Sequence, residues 1–231
     1  MYYQQNGYLL YHHQLFEPQE TARLTDIFEE HLAQKGSKLS DELDQPHLRD
    51  PRLLDFLLDR RVLDLVEPLI GPNIGLFSSH FICKDPFIGR ATPWHEDSTF
   101  WKTRFDKFDK IITVWFALDR SFKDNGCMRV IPGTHFNGFS ENYVSVDETR
   151  NLLNAGLQGV DESKAVYFEL ERGECSLHDS RIIHGATANT SAYRRCGYTM
   201  RYFATDHRRI SPLRLWLARG KDLAGNQYEN V

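Results

Sequence analysis

A mainly β fold with helices flanking it is predicted by three features of the 231-residue chain. Apolar residues recur at helix spacing through the first third, short strand-like segments fill most of the rest, and turn residues separate those segments. Helices first and strands afterwards suggest an antiparallel sheet structure with helices packed outside. A double-sheet jelly roll manages the edges of so many short strands. The elements follow in order. Pro18 fits a first helical position, Leu24, Ile27, Phe28 and Leu32 follow at helical spacing, and Gly36 stops the run. A second apolar cluster, from Leu53 to Ile70, closes at Gly71-Pro72. Strands are expected over 74–83, 111–118, 128–131, 165–170, 175–177 and 196–203, with turns at Asp124-Asn125-Gly126 and Ile131-Pro132-Gly133. Little but a tail is expected beyond Tyr202.

Composition narrows the function. With 28 basic and 32 acidic residues the net charge is −4, which argues against a phosphate-tracking nucleic-acid binder. No run approaches the ~20 apolar residues of a membrane span. The start, Met1-Tyr2-Tyr3-Gln4-Gln5-Asn6, lacks a secretory signal, and the end, Tyr228-Glu229-Asn230-Val231, lacks a peroxisomal one. Cys83, Cys127, Cys175 and Cys196 form no C-x-x-C pair and read as small buried apolar residues. A single cytoplasmic domain over 1–231, acting on a small molecule, is the expectation; nothing in the sequence specifies an oligomeric state.

The chemistry concentrates in two segments. Thr92-Pro93-Trp94-His95-Glu96-Asp97 contains His-x-Asp, whose side chains share one face of a strand and can close on one ion. Farther on, His184 is followed by Gly185, where a turn can present the ring to a cavity. Two imidazoles and one carboxylate on one face of an ion leave positions open, the arrangement of non-haem Fe(II) oxygenases.

These residues lie in an ordered set. It runs Asn6-Gly7-Tyr8, Gly71-Pro72-Asn73-Ile74, Pro93-Trp94-His95-Glu96-Asp97, Trp115-Phe116-Ala117-Leu118-Asp119 and Asn125-Gly126-Cys127-Met128-Arg129-Val130-Ile131-Pro132-Gly133-Thr134-His135. It ends with His184-Gly185, Asn189, Ser191, Arg195 and Arg201-Tyr202. The set resembles the phytanoyl-CoA dioxygenase family of Fe(II)/2-oxoglutarate-dependent oxygenases. The resemblance implies a double-stranded β-helix with His95, Asp97 and His184 as iron ligands, and 2-oxoglutarate and O₂ as co-substrates. It implies that Arg195, eleven residues past His184, clamps the distal carboxylate of 2-oxoglutarate, a task suited to a planar guanidinium. Arg194, of opposite strand parity, is expected to face solvent. Trp115 and His80 match positions near the co-substrate, and Lys84, sharing the parity of His80, is expected to add charge at the pocket rim. Ala186 stands where many relatives carry a serine, so that hydrogen bond is either missing or supplied by Thr187.

Other residues carry plainer readings. His178-Asp179 is a rival His/Asp pair, but adjacent residues on a strand face opposite ways. His135 reads as structural, His12-His13 as surface, and the Asp41-Glu42-Asp44 cluster as a solvated loop. Trp94, Phe100 and Trp101 either pack in the core or line a substrate pocket. Arg201 is either an internal salt-bridge partner or an anchor for an anionic substrate group. The expected activity is hydroxylation of a small-molecule C–H bond with release of succinate and CO₂. Desaturation, cyclisation and epimerisation are the alternatives, with halogenation disfavoured by the carboxylate at Asp97. A non-catalytic jelly-roll binding module is the alternative from another class.

Overall fold

The computed structural model describes residues 2–230. Met1 and Val231, the outermost residues of the two segments read for targeting signals, lie outside the described residues. The chain opens with a short helix α1 (Tyr2–Asn6) and strand β1 (Tyr8–Tyr11), then the long helix α2 (Pro18–Ala33). Next come β2 (Leu43–Asp44), α3 (Leu54–Leu57), α4 (Arg60–Ile70), β3 (Ile74–Lys84), β4 (Thr92–His95), α5 (Asp97–Phe100) and β5 (Ile111–Ala117). The remainder is β6 (Met128–Val130), β7 (Tyr143–Ser145), β8 (Ala155–Leu157), β9 (Val166–Tyr167), β10 (Cys175–Asp179), β11 (His184–Ala186), β12 (Arg195–Ala204) and β13 (Trp216–Arg219).

Pro18 occupies the first turn of α2, where its missing N–H costs nothing, and the Glu20 carboxylate accepts the Glu17 N–H at 2.8 Å to cap the helix. Gly71, at φ +100°, ends α4 in a conformation that a side chain disfavours.

The strands form two principal sheets. The larger runs β1-β10-β5-β12-β3-β13, with β2 also on β3, and the smaller runs β4-β11-β6-β9. The paired strands are antiparallel throughout. Alternation along the central strands sorts their residues. Cys196, Tyr198, Met200 and Tyr202 of β12, with Ile112, Val114 and Phe116 of β5, pack outward against Leu24, Phe28, Leu57 and Val66 of the helical layer. Phe81 stacks on Tyr198 at 4.3 Å between centroids, and each such buried aromatic contributes about 1.5–3 kcal/mol. The alternate residues, Arg195, Gly197, Thr199 and Arg201, face the smaller sheet. This is the expected jelly roll, with the helices on the outer face of the larger sheet.

Two expectations need correction. The first third is not purely helical, because β1 pairs with β10 and β2 with β3. The chain beyond Tyr202 is not a tail: β13 pairs with β3, and Leu215 and Trp216 are buried. Among the described residues, no helix is long and apolar enough to cross a membrane.

Candidate active site

The two histidines meet through strand register. His184 of β11 lies directly opposite His95 of β4, and their ring centroids are 4.1 Å apart. Gly185 eases the close approach of these strands, since a Cβ there would crowd the Thr92 carbonyl oxygen at 3.0 Å. His95 Nδ1 lies 2.8 Å from the Pro93 carbonyl and His184 Nδ1 lies 3.0 Å from the Ile182 carbonyl. A carbonyl only accepts, so each ring carries its proton on Nδ1 and presents a lone pair at Nε2. Asp97 opens the short helix that follows β4, and its Oδ1 lies 3.6 Å from His95 Nε2 and 3.9 Å from His184 Nε2. The ligand atoms of these three residues lie within 4.8 Å of one another, a set of donors that fits one divalent ion.

The electrostatics fit the same ion. Burial, reinforced by His95 and His178, pushes His184 well below its usual range, which keeps the imidazole neutral. Burial alone would raise Asp97, but His178, His95, His184 and Arg201 outweigh it and hold the carboxyl well below its usual range. A neutral imidazole at His184 and a carboxylate at Asp97 are the protonation states that bind metal.

Three further residues fix this geometry, and of these the sequence singled out only His178, as half of a rival pair. Thr113 of β5 donates its hydroxyl to Asp97 Oδ2 at 3.0 Å. His178 of β10 places Nε2 3.6 Å from the same oxygen, with both of its ring nitrogens buried and unpartnered. The parity argument holds, since Asp179 turns the other way to Arg181, yet it is His178 that faces the site. Glu96, between His95 and Asp97, is buried and points away, accepting hydrogen bonds from the hydroxyls of Ser140 at 2.6 Å and Tyr143 at 3.0 Å. It ties the motif to the loop carrying β7.

A cavity of about 360 Å³ extends from these ligands. Arg195 lines it, 3% exposed, with its guanidinium carbon 4.4 Å from the Trp115 ring centroid and its Nε unpartnered. Burial pulls the Arg195 pKa down to about 10, so the group stays charged at neutral pH. Gly197 is required beside it: a Cβ there would fall 2.0 Å from Trp115, so only glycine lets the indole lie flat against the strand. His80 also lines the cavity, but its Nε2 is taken by the Asp41 carbonyl at 2.8 Å. Burial and then Arg201 push His80 down to about 4. Phe100, Trp101 and Arg201 line the cavity as well.

Several readings change. Lys84 is not a rim charge: it is buried outside the cavity lining, Nζ donates to the Thr187 carbonyl, and burial with Arg195 pushes its pKa well down. Thr187 is exposed and off the lining, so it supplies no hydrogen bond for Ala186; Thr113 and Thr199 line the cavity, with their hydroxyls donated to Asp97 and to the His80 carbonyl. Asp41, Glu42 and Asp44 are not merely a solvated loop, because all three line the cavity and Asp41 is buried in an ion pair with Arg90. Trp94 belongs to a small core with Ile131 and Leu157. Arg194 points away from the cavity but pairs with Asp119 and Glu29 rather than with water alone. His135 is buried against the Gln4 carbonyl, and the four cysteines are free and buried.

The fold and the His/Asp/His centre together define a jelly roll of the double-stranded β-helix kind with a facial metal site. The family model for phytanoyl-CoA dioxygenase (PhyH) matches residues 3–197, and the chain belongs to that family. A phytanoyl-CoA dioxygenase domain-containing protein 1 homolog of Caenorhabditis elegans is 29% identical over 188 residues, covering 75% of this chain and 65% of that protein. The chain thus spans just under two thirds of that relative's length. Among solved structures, the non-heme monooxygenase ThoJ in its apo form superposes with a TM-score of 0.82 at 20% identity, covering 99% of this chain and 86% of ThoJ. EvdO2 from Micromonospora carbonacea var. aurantiaca, complexed with 2-oxoglutarate, gives 0.75 at 22% identity, covering 92% and 91%. These two likenesses support the fold.

Proposed function

We propose that this protein is an Fe(II)- and 2-oxoglutarate-dependent dioxygenase that hydroxylates a C–H bond of a small molecule. The observation that carries the reading is the single cavity joining three preset ligands to a buried, unpartnered arginine. His95, Asp97 and His184 would hold the ion through Nε2, Oδ1 and Nε2, beside the cavity. Iron and 2-oxoglutarate supply the O₂ chemistry when bound, with 2-oxoglutarate ending as succinate and CO₂.

The protein's own residues do the rest. Thr113 holds Asp97 Oδ2 so that Oδ1 faces the ion. Arg195 offers parallel N–H donors to the distal carboxylate of 2-oxoglutarate, and Trp115 supports the guanidinium from below. Phe100 and Trp101 wall the cavity on the substrate side and limit water. The carboxylate of Asp97 fills the position that a halide would need, which favours oxygen transfer. Four free buried thiols fit a reducing compartment, and we place the protein in the cytoplasm.

The test is anaerobic addition of Fe(II) and 2-oxoglutarate, watched for the weak visible charge-transfer band of a chelated α-keto acid. The band should form, and iron-dependent succinate release should follow on admitting air. A protein that binds Fe(II) without forming the band or consuming 2-oxoglutarate would falsify the reading and favour a non-catalytic binding module.

A further inference from the structure

We infer that Arg104 and Arg201 anchor an oxyanion group, carboxylate or phosphonate, on the small substrate. The inference rests on the oxygenase reading above and adds the substrate's chemical class. Both arginines line the cavity that holds the three ligands. Arg201 neighbours Thr113 across the β12–β5 ladder, and Thr113 holds Asp97, so this cation lies at the reacting end of the cavity.

Both cations lack the carboxylate that a sheltered arginine normally has. Arg104 is half-buried, and its guanidinium makes no hydrogen bond or ion pair. Arg201 donates only from Nη1 to the Ser78 hydroxyl at 3.2 Å, and its Nε is buried without a partner. Its guanidinium carbon stands 5.4 Å from the Trp101 ring centroid, so the donors are held by an aromatic wall rather than by an acid. Burial and Arg201 depress the pKa of Arg104, as expected for like charges sharing one sheltered space. Nearby Arg90, by contrast, is paired: it binds Asp41 and Glu42, so these two acids already have a cation of their own. Asp44 remains at the rim, 3.7 Å from His80 and half exposed. The unpaired donors of Arg104 and Arg201 are therefore free to receive an oxyanion.

This pair is separate from the co-substrate clamp. Arg195 and Arg201 lie six residues apart on one face of β12, roughly 20 Å along an extended strand. A five-carbon diacid held at Arg195 does not reach both. At about 360 Å³ the cavity is near the lower end of the ~300–1,000 Å³ of ligand pockets, and 2-oxoglutarate occupies part of it. The substrate that fits beside it is a compact acid rather than a whole acyl-CoA.

The experiment loads the protein with Fe(II) and 2-oxoglutarate without oxygen, confirms the charge-transfer band, and titrates acid/neutral pairs. The probes are phenylacetate against phenylacetamide, and phenylphosphonate against its neutral dimethyl ester; the readouts are a change in the band and the rise in melting temperature. Acids should bind more tightly than their neutral partners, and the stronger of the two acids identifies the headgroup. Arg201→Gln and Arg104→Gln should each weaken acid binding by about tenfold, as expected for a lost charge-assisted contact that is partly sheltered. Lys102→Gln, an exposed cation outside the cavity, should leave it unchanged. Equal binding of acids and neutral partners, no binding of either acid, or indifference to both arginine changes overturns the anion anchor while the band leaves the oxygenase reading intact. Failure of the band itself removes both.

Discussion

Thr113 donates its hydroxyl to Asp97 Oδ2 at 3.0 Å, and this bond decides which carboxylate oxygen faces the two imidazoles. Thr113→Val keeps the β-branched shape but deletes the donor. Fe(II) affinity should fall by about 10–100-fold, the usual cost of losing a group that orients a ligand. A metal titration with unchanged affinity would show that the strands alone orient Asp97.

His178 and His184 lie 4.7 Å apart between ring centroids, yet they take different parts. His184→Ala should abolish the visible band. His178→Ala should retain it with weaker iron binding, because His178 faces Asp97 Oδ2 whereas His95 and His184 face Oδ1. The reverse pattern would exchange their roles.

Arg195→Leu should raise the 2-oxoglutarate requirement more than a hundredfold. Leaving a buried carboxylate unmatched costs on the order of 3–5 kcal/mol, and each ~1.4 kcal/mol is tenfold. Arg194→Leu breaks pairs with Asp119 and Glu29 that are partly exposed, so it should cost at most about 1 kcal/mol of stability and leave co-substrate affinity alone. Equal effects on the 2-oxoglutarate requirement would contradict the placement.

Gly197→Ala should act on the same clamp without touching a charge. The new methyl meets the rigid Trp115 indole, and overpacking of this kind costs about 1–3 kcal/mol. Melting temperature and 2-oxoglutarate affinity should fall together; an unaffected affinity would mean that Trp115 does not support Arg195.

Burial pushes His47 down to about 4, with Arg214 and Arg201 adding to the effect and Asp44 opposing it. The native state therefore refuses a proton that the unfolded chain accepts from about pH 6.5 downward. This contribution to stability is intact above pH 6.5 and drains away as pH falls toward 4, amounting to roughly 3 kcal/mol at most. His47→Leu should flatten the denaturation profile over that window, and an unchanged slope would exclude His47 as its source.

What the sequence made legible were features encoded by neighbours along the chain. His95-x-Asp97 has strand spacing, α2 shows both its Pro18 start and its apolar stripe, and the long central strands are dense in apolar residues. What it hid depends on which strands lie side by side. His178 joins Thr113 beside Asp97 only because β10 pairs with β5, placing the two residues opposite each other. Lys84 has the parity predicted for it, but parity does not say how deep along the sheet a residue sits. Arg104 has no pattern at all, since its position comes from a loop. The edge strands β1 and β13 are four residues each, too short for alternation to stand out.

The His184–His95 pairing joins positions 89 residues apart in the chain. Nothing local brings them together; β4 and β11 must first pair within the smaller sheet. A slip of one residue between β4 and β11 turns one imidazole to the opposite face and dismantles the ligand set. Divalent metal therefore discriminates among compact states of this chain, adding stability only to the one with correct strand registration. In refolding, a metal-dependent gain in melting temperature marks molecules that have chosen the right partners, before any turnover is measured.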